Sequence, residues 1–147
     1  TVLLFSLTTN LIVLLAGFTA SETQNSKIFL TDDEKQALVW LDANTDWSTV
    51  VLSSPELGMF IPGWAGTRVV YGHPFETIHA LDKKIQIEKF YSESNTHSDY
   101  QRFFIDNQVK YVFWGPRERI LTNRIRPDFP DCHTCYSNKT VEILTCQ

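Results

Sequence analysis

Three short stretches hold the side chains that could do chemistry: Ser53-Ser54-Pro55-Glu56, Gly72-His73-Pro74-Phe75-Glu76 and Gly115-Pro116-Arg117-Glu118-Arg119. Each ends a run of apolar residues. His73 and Glu76 could form an acid/base pair, because an imidazole and a carboxylate exchange protons near neutral pH. Arg117 and Arg119 could hold an anion, with Glu118 and the hydroxyl of Ser54 completing a polar site. The same groups have a second reading, in which they pair with one another and cap helices, because charges at a buried edge are tolerated only when paired.

A fourth stretch carries sulfur. A Cys132–Cys146 disulfide suits an oxidising compartment; free thiols are the next reading. A third is zinc, to which Cys132, His133, Cys135 and Cys146 would offer three thiolates and an imidazole, although paired C-x-x-C knuckles are missing. Asn138-Lys139-Thr140 also matches the N-glycosylation sequon.

The elements that must position these groups follow from the hydrophobic pattern. Thr31-Asp32-Asp33-Glu34 is a capping box that starts a helix running to about Asn44, with Ala37, Leu38 and Leu41 on one face. Thr49–Ser53 is an apolar run without alternation, as in a strand covered on both faces. A short crossover through Leu57 to Trp64 leads to a second strand, Arg68–Tyr71. From Thr77 to about Tyr91 the spacing predicts a helix burying Ile78, Leu81, Ile85 and Phe90. A further helix from Ser98 leads to a third strand, Val109–Trp114. A terminal hairpin turns around Asn138-Lys139. Strands joined by crossovers pair in parallel and place their carboxyl ends on one edge, where open α/β sheets bind ligands. The expected fold is therefore a small Rossmann-like α/β domain of three layers over residues 31–147, with a mainly parallel sheet of order 2-1-3 and a C-terminal hairpin.

Residues 1–20 carry no charge and are long enough to be read as a transmembrane helix, with 21–30 as a linker. Thr1 opens the chain and its one Met is Met59, as in a fragment or processed chain. With 13 basic against 17 acidic residues and no basic run, nucleic acid is not an expected partner. No G-x-G-x-x-G follows a strand, and neither G-K-[ST] nor G-x-S-x-G occurs, so nucleotide-phosphate and serine-hydrolase chemistry lack their motifs.

The strings Trp40-Leu41, Val50–Ser53, Ile61-Pro62 with Trp64–Gly66, Arg68–His73, Glu76-Thr77 and Tyr111–Glu118 resemble the C-terminal soluble domain of bacterial polytopic membrane proteins related to GT-C glycosyltransferases. The resemblance spans about residues 35–145, and Gly72-His73-x-x-Glu76-Thr77 and Gly115-Pro116-Arg117-Glu118 are its most specific parts. It implies an extracytoplasmic, non-catalytic domain at residues 21–147 that follows a last membrane helix. Such a domain assists acceptor binding or packs on the membrane part of an enzyme using a lipid-linked sugar donor. The implied partners are the membrane, the membrane-embedded part of the same protein, and a lipid-linked sugar or glycan acceptor. No cofactor is implied for this chain, a divalent metal belonging if anywhere to the membrane part. The family's acidic residue lies in an early loop that this chain lacks, so no catalytic residue carries over, and the Cys-rich end departs from the pattern. The alternative is a membrane-anchored module that binds an anionic ligand or a protein at the strand-end edge.

Overall fold

A computed structural model describes residues 10–19, 29–92, 95–122, 126–129 and 131–146. The chain divides into two compact units, Thr1–Leu30 and Thr31–Gln147. In the first, residues 10–19 are helical and exposed, including Leu11, Ile12, Leu14 and Phe18. Among the described residues no helix is long and apolar enough to cross a membrane. The expected spanning helix is therefore not observed: a crossing needs about 20 residues, and residues 1–9 and 20, like 21–28 of the expected linker, lie outside the described residues.

The second unit is an α/β fold built on a five-stranded mixed sheet of order β2-β1-β3-β5-β4. Its strands are β1 (Val50–Leu52), β2 (Arg68–Val69), β3 (Val109–Trp114), β4 (Cys132–Ser137) and β5 (Glu142–Cys146). β1 runs parallel to both β2 and β3, whereas β5 runs antiparallel to β3 and β4. The 2-1-3 order holds, but the sheet is mixed and not mainly parallel. The hairpin adds its two strands to the same ladder, so half the strand pairings are antiparallel.

Helices cover both faces. The helix α1 (Asp32–Asn44) begins at the expected box: Thr31 Oγ1 accepts from the Glu34 N–H at 3.2 Å, and Glu34 Oε2 accepts from the Thr31 N–H at 2.8 Å. It buries Ala37, Leu38 and Leu41, and Trp40 meets Tyr111 edge-on. The opposite face presents Val50, Leu52, Val112, Trp114 and Leu144 to the helices α4 (Ala80–Ser92) and α5 (His97–Asn107). Phe90 anchors this half, ringed by Tyr91, Tyr100, Phe103 and Phe104 and stacked on Phe129.

α4 buries Phe90 as expected but not the rest of the expected face. It starts at Ala80, after His79 in the left-handed region (φ 54), and buries Ile87, Phe90 and Tyr91. Ile78 and Leu81 are 81% and 71% exposed, and Ile85 is 42% exposed. At 100° per residue the 81/85 stripe lies nearly opposite the 87/90/91 stripe. Only one can face the sheet, and the stripe with two aromatics does.

Cys132 and Cys146 are directly opposed in the β4–β5 ladder and joined by a disulfide. The connection between the strands, residues 138–141, is closed by an Asn138 N–H to Val141 O bond of 2.9 Å, so the turn falls at Lys139-Thr140, one residue beyond the expected Asn138-Lys139. A bulge at Cys135 restores the alignment. Reduction, or Cys146→Ser, is expected to cost about 2–3 kcal/mol, from the loop-closure entropy of a crosslink this short. It would register as a lower urea midpoint, and an unchanged midpoint would mean that the ladder alone holds the hairpin.

Candidate functional site

The carboxyl ends of β1, β2 and β3 share one edge, as the parallel pairing requires. The expected site residues reach that edge but divide into two groups. Ser54, Glu118 and Arg117 form an internal brace, whereas His73 and Glu76 open onto a surface cleft.

The brace begins at the turn after β3. Gly115 leads into the helix α6 (Pro116–Leu121), where Pro at the first position suits an N-terminus and Glu118 reaches back to the capping N–H. Glu118 Oε2 accepts from the Gly115 N–H at 2.9 Å, and Oε1 accepts from the Ser54 N–H at 2.7 Å. The glycine is needed for space: a Cβ at position 115 would lie 2.9 Å from the Phe113 ring and 3.2 Å from the Glu118 carboxylate. β1 and β3 flank the point where the strand order reverses, the place at which open α/β sheets bind ligands. Here a fully buried carboxylate of the chain itself occupies it. Desolvation holds the Glu118 carboxyl above its ordinary value, although its hydrogen bonds pull the other way. The buried Tyr91 phenol is likewise raised, by burial and then by the charge of Glu118, and donates to the Phe113 carbonyl oxygen at 3.2 Å.

Arg117 points elsewhere. Its Nε donates to Glu34 Oε1 at 2.8 Å, with both residues buried, and its guanidinium carbon lies 5.4 Å from the centre of the Phe60 ring. Glu34 thus uses one oxygen for its own helix cap and the other for a residue 83 positions away. Arg119 is half-buried, and its buried Nε has no hydrogen-bond partner among the described residues. Glu34 as the partner of Arg117 is what the sequence reading missed, because its capping role already accounted for it.

His73 and Glu76 are exposed on the loop after β2, and no hydrogen bond joins their side chains. The backbone makes the turn: the His73 carbonyl accepts from the Glu76 and Thr77 N–H groups at 3.1 and 2.9 Å, and Thr77 Oγ1 accepts from the Gly72 N–H. Both residues line a cleft of ≈ 540 Å³ that also touches Met59, Pro62, Ile78 and Lys83. Gly58 at the end of the short helix α2 (Pro55–Gly58), the following Met59, and Pro62 of the short helix α3 (Ile61–Ala65) form part of its wall. A Cβ on Gly58 would sit 2.1 Å from the Tyr71 carbonyl oxygen, so only glycine lets this crossover close on the end of β2. Lys83 is not among the expected site residues.

The disulfide removes Cys132 and Cys146 from the four-ligand zinc set, leaving His133 and Cys135. Among the described residues no three His, Cys, Asp or Glu side chains are grouped to hold a metal ion. The sequon is consumed by the hairpin. Asn138 Nδ2 donates to the Asp33 carbonyl at 2.9 Å, and Oδ1 accepts from the Thr140 and Val141 N–H groups at 3.2 and 2.9 Å.

No protein-family model matches the chain, and no curated protein matches it.

Proposed function

We propose that residues 31–147 are an extracytoplasmic, non-catalytic, Rossmann-like domain, held at a membrane by the apolar N-terminal segment. In this reading the domain assists a GT-C-like glycosyltransferase that uses a lipid-linked sugar donor, by binding the acceptor or packing on the membrane part. One observation carries the non-catalytic part: the charged residues after β3 are spent inside the chain, Glu118 on the Ser54 and Gly115 backbone and Arg117 on Glu34. The Cys132–Cys146 disulfide supports an oxidising compartment. The exposed apolar side chains at 11–15 and 18 support a lipid-facing role for that segment. The enzyme partnership rests on the resemblance of the Gly72–Thr77 and Gly115–Glu118 strings.

The test uses Cys135, an exposed cysteine outside the disulfide whose Sγ donates to the Ile143 carbonyl oxygen at 3.3 Å. In spheroplasts expressing the full chain, a membrane-impermeant maleimide is expected to label it before lysis. Labelling only after lysis would overturn the location. The purified chain is expected to transfer no sugar from a polyprenyl-phosphate donor, and measurable turnover would overturn the non-catalytic assignment. The cleft beside His73 favours a second reading, an anchored ligand-binding module.

A further inference from the structure

We infer that the cleft at the end of β2 binds a small zwitterion with an apolar body, an α-ammonium carboxylate such as an apolar amino acid or a short apolar peptide. Its volume, ≈ 540 Å³, falls within the roughly 300–1,000 Å³ of small-molecule sites. Met59, Pro62, Val69, Val70 and Ile78 supply the apolar wall. The polar groups come from two sides, His73 and Glu76 from the loop and Lys83 from α4.

These groups carry opposite charges that are not spent on each other. Lys83 Nζ donates to the amide oxygen of Asn107, a neutral acceptor, and among the described residues no ion pair engages it. Among the described residues no ion pair engages Glu76. His73 Nδ1 accepts from the Phe75 N–H at 3.3 Å, which places the proton of the neutral ring on Nε2 and makes that nitrogen a donor. A lone anion entering the cleft meets the Glu76 carboxylate, and a lone cation meets Lys83. A molecule with both charges satisfies both, its carboxylate held by Lys83 and His73 Nε2–H and its ammonium by Glu76, while an aliphatic side chain covers the apolar wall. Arg117 would have tipped the balance toward anions, but it is committed to Glu34.

This inference is independent of the proposed function, since it needs neither a membrane nor a sugar donor. The test is ligand-observed saturation-transfer NMR on the full chain in detergent, with five probes: leucine, leucyl-leucine, leucinamide, N-acetyl-leucine and inorganic phosphate. Leucine or leucyl-leucine is expected to bind with a dissociation constant on the order of 1 mM or tighter, and the tighter of the two identifies the source. Leucinamide lacks the carboxylate and N-acetyl-leucine the ammonium, so each is expected to bind at least ~10-fold more weakly than leucine. Glu76→Gln is expected to weaken leucine by about the same factor while leaving N-acetyl-leucine unchanged. Lys83→Met should do the converse for leucinamide, and His73→Ala serves in its place if loss of the Asn107 contact unfolds the chain. Absence of saturation transfer from both zwitterions, phosphate binding as tightly as leucine, or folded variants with unaltered leucine affinity would each overturn the assignment.

Discussion

Glu118→Ala is expected to remove about 3–5 kcal/mol of unfolding free energy, because it leaves two buried backbone donors without acceptors. The donors are the N–H groups of Ser54 and Gly115, at the carboxyl ends of β1 and β3, so the loss unpins the two central parallel strands from each other. Glu118→Gln keeps one acceptor oxygen but turns an amide NH₂ toward the other donor, and about 1–3 kcal/mol is expected for it. The two variants also separate packing from charge through pH. Burial raises the Glu118 carboxyl above its ordinary 4.5 in the folded chain. A group raised in this way binds more protons folded than unfolded. Its contribution is therefore fully present below about 4.5 and falls away as pH rises through the folded value. The stability advantage of the native chain over Glu118→Gln should accordingly shrink as pH is raised from 4.5 toward neutrality, measured by urea unfolding across that range. An advantage that grows with pH would mean that the two N–H bonds outweigh desolvation and that the carboxylate is the favoured form.

Arg117→Ala is expected to cost a similar 3–5 kcal/mol, for a different reason. Its partner Glu34 is 1% exposed and would keep a buried negative charge with only the Thr31 hydrogen bonds to balance it. Arg117→Lys should recover little, since an ammonium reproduces neither the Nε–H geometry nor the stacking over Phe60. The double variant Glu34→Leu/Arg117→Met should be far less destabilised than the sum of Glu34→Leu and Arg117→Met, because it removes both charges and keeps the volume. A strictly additive result in denaturant melts would show that the pair is not coupled. Neither Arg117 substitution should change leucine binding at the cleft if the fold is retained, which keeps the brace and the cleft experimentally distinct.

Much of the local structure was legible in the residues. The capping box at Thr31, the apolar β1 run and the Val109–Trp114 strand are signals written within a few positions, and each element formed where its signal lay. The 2-1-3 order of the first three strands was legible too, because crossover connections constrain parallel strands strongly. Legibility ended where two local signals competed or a partner lay far along the chain. The Ile78/Leu81/Ile85 and Ile87/Phe90/Tyr91 stripes are both apolar at helical spacing, and periodicity carries no information about which one the sheet covers. The mixed sheet arises because the hairpin joins at β3, where Leu144 stands opposite Val112 and Ile143 opposite Phe113.

The amino-acid sequence by itself determined that the three chemistry-bearing stretches stand at the carboxyl ends of three strands, since that follows from strand, breaker and crossover spacing. Tertiary structure alone decided which of them turn inward. Ser54 and Glu118 are 64 residues apart and Glu34 and Arg117 are 83 apart. A charge is driven to pair once it is buried, and burial is set by how α1 and α6 close on the sheet. His73, Glu76 and Lys83 remain facing a cleft because the crossover through Gly58 and Pro62 walls it on one side and the turn at His79 swings α4 past the other.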